Sequence, residues 1–252
     1  VLIVAFAASV ASASGGTRRE SRTRPFPRFP SLCHRADFAV AGKPVRAAIC
    51  RDQRPGRESG LVVLYGCGGF GGLDYRLATV YAEAGFATMY LDTFALTPPP
   101  GRRGFCSVRT SPAVPAAWRT TVLAATRALA AARGVDPHKV GLLGWSLGAD
   151  LALGVSSVTG AQIAVVVAYS PDVFPASTTR GRAYPPTIAL LSGRGDIHSI
   201  SEARAFHLRL VGLGVVNEVY VYPGGSHYWQ GRQGRDGFAR AVAFLRHALG
   251  GR

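Results

Sequence analysis

The sequence predicts an α/β fold, with a mostly parallel central sheet flanked by helices and an antiparallel hairpin near the N-terminus. Three observations carry that prediction. From residue 61 onward, short apolar runs alternate with segments of helical period, the pattern of parallel strands joined by crossover helices. Those runs lie between Gly-, Pro- and Asp-containing turns, as buried strands do. The chain has 252 residues, 48% of them hydrophobic, enough to bury the core of one large domain.

Taken in order, residues 1–10 are apolar but too short to span a membrane, and Ala11-Ser12-Ala13 supplies a small-x-small pattern. Residues 1–13 are therefore expected to be an export signal truncated at its start, and the chain to be periplasmic or secreted. Residues 14–35 combine Gly, Ser and Arg with Pro25, Pro27 and Pro30, and predict a flexible leader. Two short strands follow at 37–41 and 45–50 around Gly42-Lys43-Pro44, then a polar loop over 51–60. Residues 61–65 read as a strand, 73–84 as a helix and 87–91 as a strand. The Pro/Gly/Arg stretch 93–115 is too long for a simple connector, which points to a functional or disulfide-anchored loop. An Ala-rich helix over 116–133 is closed by Gly134, with Asp136-Pro137 marking the turn. Strands at 140–143, 162–169 and 187–191, a helix at 201–211, a strand at 217–222 and an amphipathic helix at 238–249 complete the chain. Nothing divides residues 36–252 into two domains.

The net charge of +15 comes almost wholly from arginine, because Lys43 and Lys139 are the only lysines. Such a balance attracts anionic surfaces at long range. No arginine run is interleaved with aromatics on a recognisable binding module, and no zinc-finger spacing occurs, so nucleic acid is not an expected partner. The four cysteines have no metal-site spacing and fit an oxidising compartment, with three full pairings open. Cys33 and Cys50 flank the hairpin, while Cys67 and Cys106 follow neighbouring strands; the pairs Cys33–Cys50 and Cys67–Cys106 are expected.

The chemistry centres on Gly144-Trp145-Ser146-Leu147-Gly148, between a short buried strand and a segment in which Leu147, Leu151 and Val155 share one helical face. Gly-x-Ser-x-Gly suits a sharp strand-to-helix turn: the glycines remove Cβ atoms that would collide, and the strained serine is lifted clear of the sheet. Ser146 is the predicted nucleophile; the competing reading makes it a helix cap among turn glycines. A serine hydroxyl needs a base, and the base an orienting acid. His227, in Tyr222-Pro223-Gly224-Gly225-Ser226-His227, follows the last strand in a Gly-rich loop and is the predicted base. Asp196 follows the strand before it and is the predicted acid, with Asp172 as the fallback. His198 follows Asp196 too soon in the chain to be the base. The other histidines, His34, His138, His207 and His247, read as surface or packing residues.

An oxyanion hole draws one N–H from the residue after the nucleophile, Leu147, and another from the loop after the first core strand. Tyr65-Gly66-Cys67-Gly68-Gly69-Phe70-Gly71 fills that place, and the second donor is assigned to Cys67, with Gly68 next. Trp145, Tyr228 and Trp229, with Gly68, are the expected substrate-binding residues. The same loop satisfies G-x-G-x-x-G over 66–71, with Asp92 about 20 residues on, so a NAD(P)-binding oxidoreductase is an alternative. A second is a basic envelope protein that keeps a hydrolase fold and binds an acidic glycan or lipid surface without catalysis. The coincidence of Ser146, Asp196 and His227 after three strands weighs against both.

The order Ser146, Asp196, His227 is that of α/β-hydrolases. Together with Gly66-Cys67-Gly68-Gly69, Asp92-Thr93-Phe94 and Pro223-Gly224-Gly225-Ser226-His227, it resembles the dienelactone hydrolase family over roughly residue 36 to the C-terminus. The resemblance implies a single-domain hydrolase without cofactor or metal, with nucleophile, acid and base at Ser146, Asp196 and His227. Two positions depart from the family pattern: a serine stands where the lactone-opening enzymes carry cysteine, and Tyr65 where a histidine commonly precedes the oxyanion-loop glycine. The expectation is therefore a serine hydrolase of carboxylic esters, small or polymeric, not specific for dienelactones.

Overall fold

The computed structural model of the chain describes residues 31–52, 56–67, 70, 72–96, 116–158, 160–175 and 180–250. The predicted signal, the leader as far as residue 30, most of the 93–115 loop, Gly68 and Cys106 lie outside the described residues.

From the N-terminal side, β1 (Cys33–Arg35) precedes a separate antiparallel hairpin of β2 (Phe38–Val40) and β3 (Lys43–Val45), then β4 (Ala47–Cys50). The predicted strand 45–50 is thus two strands, broken at Arg46. Val45 pairs with Phe38 in the hairpin, whereas Ala47–Cys50 is buried throughout and joins the main sheet. The break is held by Asp37, whose carboxylate accepts the Ala47 N–H at 3.1 Å, and by the Ala36 N–H, which donates to the Ala47 carbonyl at 2.9 Å. Residues 33–35, at the end of the predicted leader, are drawn into the sheet by antiparallel pairing with β4. That register sets Cys33 opposite Cys50, and the expected disulfide joins them.

The main sheet continues with β5 (Glu58–Leu64), β6 (Ala87–Leu91), β7 (Val135–Trp145), β8 (Val166–Tyr169), β9 (Thr187–Ser192) and β10 (Asn217–Tyr222). Among the described residues it has eight strands in the order β1-β4-β6-β5-β7-β8-β9-β10, parallel from β6 to β10. β6, β8 and β9 are buried at every position, which is why their sequences are continuous apolar runs and not alternating ones. The helices are α1 (Gly72–Glu83), α2 (Ala116–Ala130), α3 (Leu147–Ser156), α4 (Ile200–Gly212) and α5 (Gly231–Ala248). In α2 the buried stripe is Trp118, Val122, Ala125 and Leu129; α3 is buried on all sides. Among the described residues, no helix is long and apolar enough to cross a membrane.

The strand order locates the site. From β5 the chain steps one way to β6, then returns past β5 to β7 and continues in that direction to β10. Right-handed crossovers then put α1 on the face opposite α2, α3 and α4. α5 joins α1 on its face: the rings of Tyr81 and Phe238 meet edge to face at 5.1 Å. The loops leaving β5 and β7 depart to opposite faces, and a crevice opens between them at the carboxyl edge. Ser146 and the Gly66–Cys67 loop stand there.

Candidate active site

β7 ends at Trp145 and α3 begins at Leu147, so Ser146 alone makes the turn. It does so at φ 54° and ψ −125°, a left-handed φ that a residue with a side chain rarely adopts. Two glycines make the turn possible. A Cβ on Gly144 would lie 2.2 Å from the Gly148 carbonyl oxygen, and one on Gly148 would lie 2.2 Å from that of Leu64. The first turn of α3 therefore packs directly on the ends of β7 and β5. The Ser146 N–H donates to the Tyr169 carbonyl at 2.9 Å, tying the turn to β8. Its hydroxyl makes no capping hydrogen bond to α3, which removes the helix-cap reading.

The loop after β5 passes against this serine, since a Cβ on Gly66 would come within 3.3 Å of the Ser146 Cβ. Cys67, the predicted second oxyanion donor, follows in that loop; it is half-buried and disulfide-bonded. Leu147 opens α3, where first-turn N–H groups lack intrahelical acceptors. Tyr65 donates its hydroxyl to Asp92 Oδ1 at 3.0 Å, while Arg46 holds Asp92 Oδ2 at 2.7 Å. Both oxygens of Asp92 are thereby engaged within the protein, which is not the free carboxylate that a ribose-binding acid presents.

Asp196 and His227 are brought together from the ends of β9 and β10: His227 Nδ1 lies 2.7 Å from Asp196 Oδ1, and Asp196 is fully buried. Its other oxygen accepts the Ser170 hydroxyl at 2.6 Å and the Ser192 N–H at 2.7 Å. Burial opposes ionisation of Asp196, but the hydrogen bonds from His227, Ser170 and Ser192 outweigh it and hold the carboxyl below its ordinary range. The bond to Asp196 raises the His227 pKa; burial opposes this, and the charges of Asp196, Asp172 and Asp150 reinforce it. The imidazole stands beside the serine turn, because Trp145 Nε1 donates to the His227 carbonyl at 3.0 Å and the two rings lie 5.5 Å apart. Among the described residues, no hydrogen bond joins the Ser146 hydroxyl to the His227 ring.

The fallback acid is placed elsewhere: Asp172 Oδ1 lies 3.0 Å from His198 Nε2, both side chains well exposed. Two supporting residues escaped the sequence reading. Ser170, fully buried at φ 46°, donates to Asp196 and accepts Trp229 Nε1 at 2.7 Å. Asp150, on α3, accepts the N–H groups of Asp172 and Val173 at 2.8 and 3.0 Å and pins the loop after β8. The signal for Ser170 was its place directly after a buried strand, the criterion that found Asp196 and His227. Trp145, Tyr228 and Trp229 all line one cavity between α1 and α5.

Residues 45–246 match the family described as the dienelactone hydrolase family. No curated protein matches the sequence. Among solved structures, a dienelactone hydrolase-like promiscuous phosphotriesterase from metagenomic libraries is 16% identical, covers 86% of this chain and 98% of its own, and has a TM-score of 0.74. The dienelactone hydrolase of Anabaena variabilis is likewise 16% identical, covering 86% and 98% with a TM-score of 0.65. A thermophilic carboxylesterase from a metagenomic library is 15% identical, covering 87% and 90% with a TM-score of 0.63. At these identities the likeness establishes the fold, that of α/β-hydrolases.

Proposed function

We propose that this chain, which belongs to the dienelactone hydrolase family, is a serine hydrolase that cleaves carboxylic esters through an acyl-enzyme. The observation that carries the reading is the buried Asp196–His227 pair, 2.7 Å apart, delivered beside a serine at φ 54°. In this mechanism His227 Nε2 takes the proton of Ser146 as Oγ attacks the ester carbonyl, and Asp196 holds Nδ1 and stabilises the imidazolium. The N–H groups of Leu147 and Cys67 receive the oxyanion, each donor worth about 3 to 4 kcal/mol in the transition state. His227 then protonates the leaving alcohol, and water, activated by the same imidazole, releases the acid. Triad hydrogen bonds are often long before substrate arrives, so the serine–histidine bond forms in the substrate complex. The substrate is a small or polymeric ester, and the arginine-rich surface adds attraction to anionic surfaces. Export is part of the proposal, and the Cys33–Cys50 disulfide supports it.

The test is fluorophosphonate labelling of the purified protein with mass mapping, alongside Ser146→Ala and His227→Ala. A stoichiometric adduct on Ser146 that His227→Ala slows at least a hundredfold is expected. A folded protein that takes no label, or takes it elsewhere, refutes the reading and directs attention to ligand binding without turnover.

A further inference from the structure

The cavity between α1 and α5, about 820 Å³, lies against the residues next to the proposed nucleophile and base. Its floor and wall include Trp145, which precedes Ser146, and Tyr228 and Trp229, which follow His227. The rings of Trp145, His227 and Tyr228 form a continuous cluster, with centroid separations of 5.5, 5.5 and 5.8 Å. From that cluster the cavity runs along Leu77 and Val80 of α1, Ala84 directly after it, and Phe238 of α5.

Three polar groups of the lining rings are already used within the protein. Trp145 Nε1 donates to the His227 carbonyl, Trp229 Nε1 to the Ser170 hydroxyl, and the Tyr169 hydroxyl shares a 2.8 Å hydrogen bond with that of Tyr81. What these rings present to the cavity is carbon. Arg76, Glu83 and Arg235 are its charged members, and all three are exposed, which puts charge at the mouth. The aromatic floor is also built at a cost in backbone freedom. Trp229 takes φ 36°, and its ring occupies the space of a missing side chain, since a Cβ on Gly237 would lie 2.4 Å from Trp229 Cζ3. Among the described residues, Val80 and Tyr228, at 37% and 56% exposure, are large apolar side chains left open to water, and both line this cavity.

We infer that this cavity is a hydrocarbon subsite that takes a long alkyl or an aryl arm of the ester, and so selects extended apolar esters over acetates. The inference rests on the serine-hydrolase reading for the position of the scissile bond. The volume falls within the range of sites that enclose a drug-sized ligand, and each methylene buried is worth roughly a factor of four in affinity.

The experiment separates the subsite from the chemistry. The Ser146→Ala protein, which needs no turnover, is titrated calorimetrically with p-nitrophenyl decanoate and p-nitrophenyl acetate, with and without Val80→Trp. Ala84→Phe, in the turn that follows α1 and also lining the cavity, is a second obstruction should the first fail to fold. Saturable decanoate binding at least tenfold tighter than acetate, and lost at least tenfold on obstruction, is expected. In the serine-containing protein the same obstruction lowers the decanoate-to-acetate ratio of kcat/KM at least tenfold. Comparing methyl decanoate with decyl acetate tells whether the acyl or the alcohol arm enters. Decanoate binding unaffected by either obstruction, or no preference for decanoate, overturns the subsite. Failure of Ser146 to label, with decanoate binding intact, overturns the hydrolase reading alone.

Discussion

Removing the Ser170 hydroxyl tests whether the buried carboxylate is held as its geometry indicates. Ser170→Ala deletes a 2.6 Å hydrogen bond to the fully buried Asp196 and strands the Trp229 indole N–H that donates to the same hydroxyl at 2.7 Å. A hydrogen bond to a charged group contributes about 1.5 to 3 kcal/mol and a neutral one about 1. Asp196 keeps its bonds to His227 and Ser192, so the expected loss of stability is about 2 to 4 kcal/mol, read from urea midpoints at equal m. The loss has a pH signature. Asp196 is depressed in the fold, so its contribution is complete above the ordinary carboxylate range and lost as pH falls through the folded value. Ser170 is one of the groups that depress it, so in Ser170→Ala the folded value rises, and the acid loss becomes smaller and is complete at a higher pH. A cycle with Asp196→Asn isolates the charged bond, and a coupling of at least about 1 kcal/mol is expected. A cost under about 0.5 kcal/mol, or strict additivity with Asp196→Asn, would refute the account.

Two further predictions concern the base and the turn. Since the base must be neutral and His227 is raised in the fold, the acid limb of kcat/KM should have its midpoint above the ordinary imidazole value of about 6.5; Asp172→Asn, which removes one of the charges that raise it, should move the midpoint down. The stability that His227 gains from its partner runs the opposite way to activity, being complete below about 6.5 and lost as pH rises through the folded value. An acid limb at or below 6.5 in the wild type would contradict this. Gly148→Ala would set a Cβ 2.2 Å from the Leu64 oxygen and 2.7 Å from that of Tyr65, both backbone, so a loss above about 4 kcal/mol or no soluble protein is expected. Gly212→Ala in α4, with nothing within 4 Å, is the matched control and should be neutral or slightly stabilising in thermal melts.

By itself the sequence determined the features whose causes are local. Strands 87–91 and 217–222 are observed at their predicted bounds, as β6 and β10, because runs of apolar, β-branched and aromatic residues between turn residues need no distant information. The serine turn was legible for the same reason: Gly144 and Gly148 are required within five residues of chain. Asp196 and His227 could be found because parallel strands deliver the residues after them to one edge, and that edge is where chemistry collects.

Tertiary structure decided the rest. Ser170 carries no motif, and its importance comes from partners 26 and 59 residues away that only the packed sheet brings within bonding distance. The split of 45–50 into β3 and β4 depended on which residues would be covered on both faces. The first two turns of α5, with Gly231, Gly234 and Gly237, read as loop because glycine is a poor helix former. The fold uses Gly237 to seat Trp229, whose ring fills the space a side chain there would need. Local propensity is written along the chain, whereas the value of an empty position depends on what another segment puts into it.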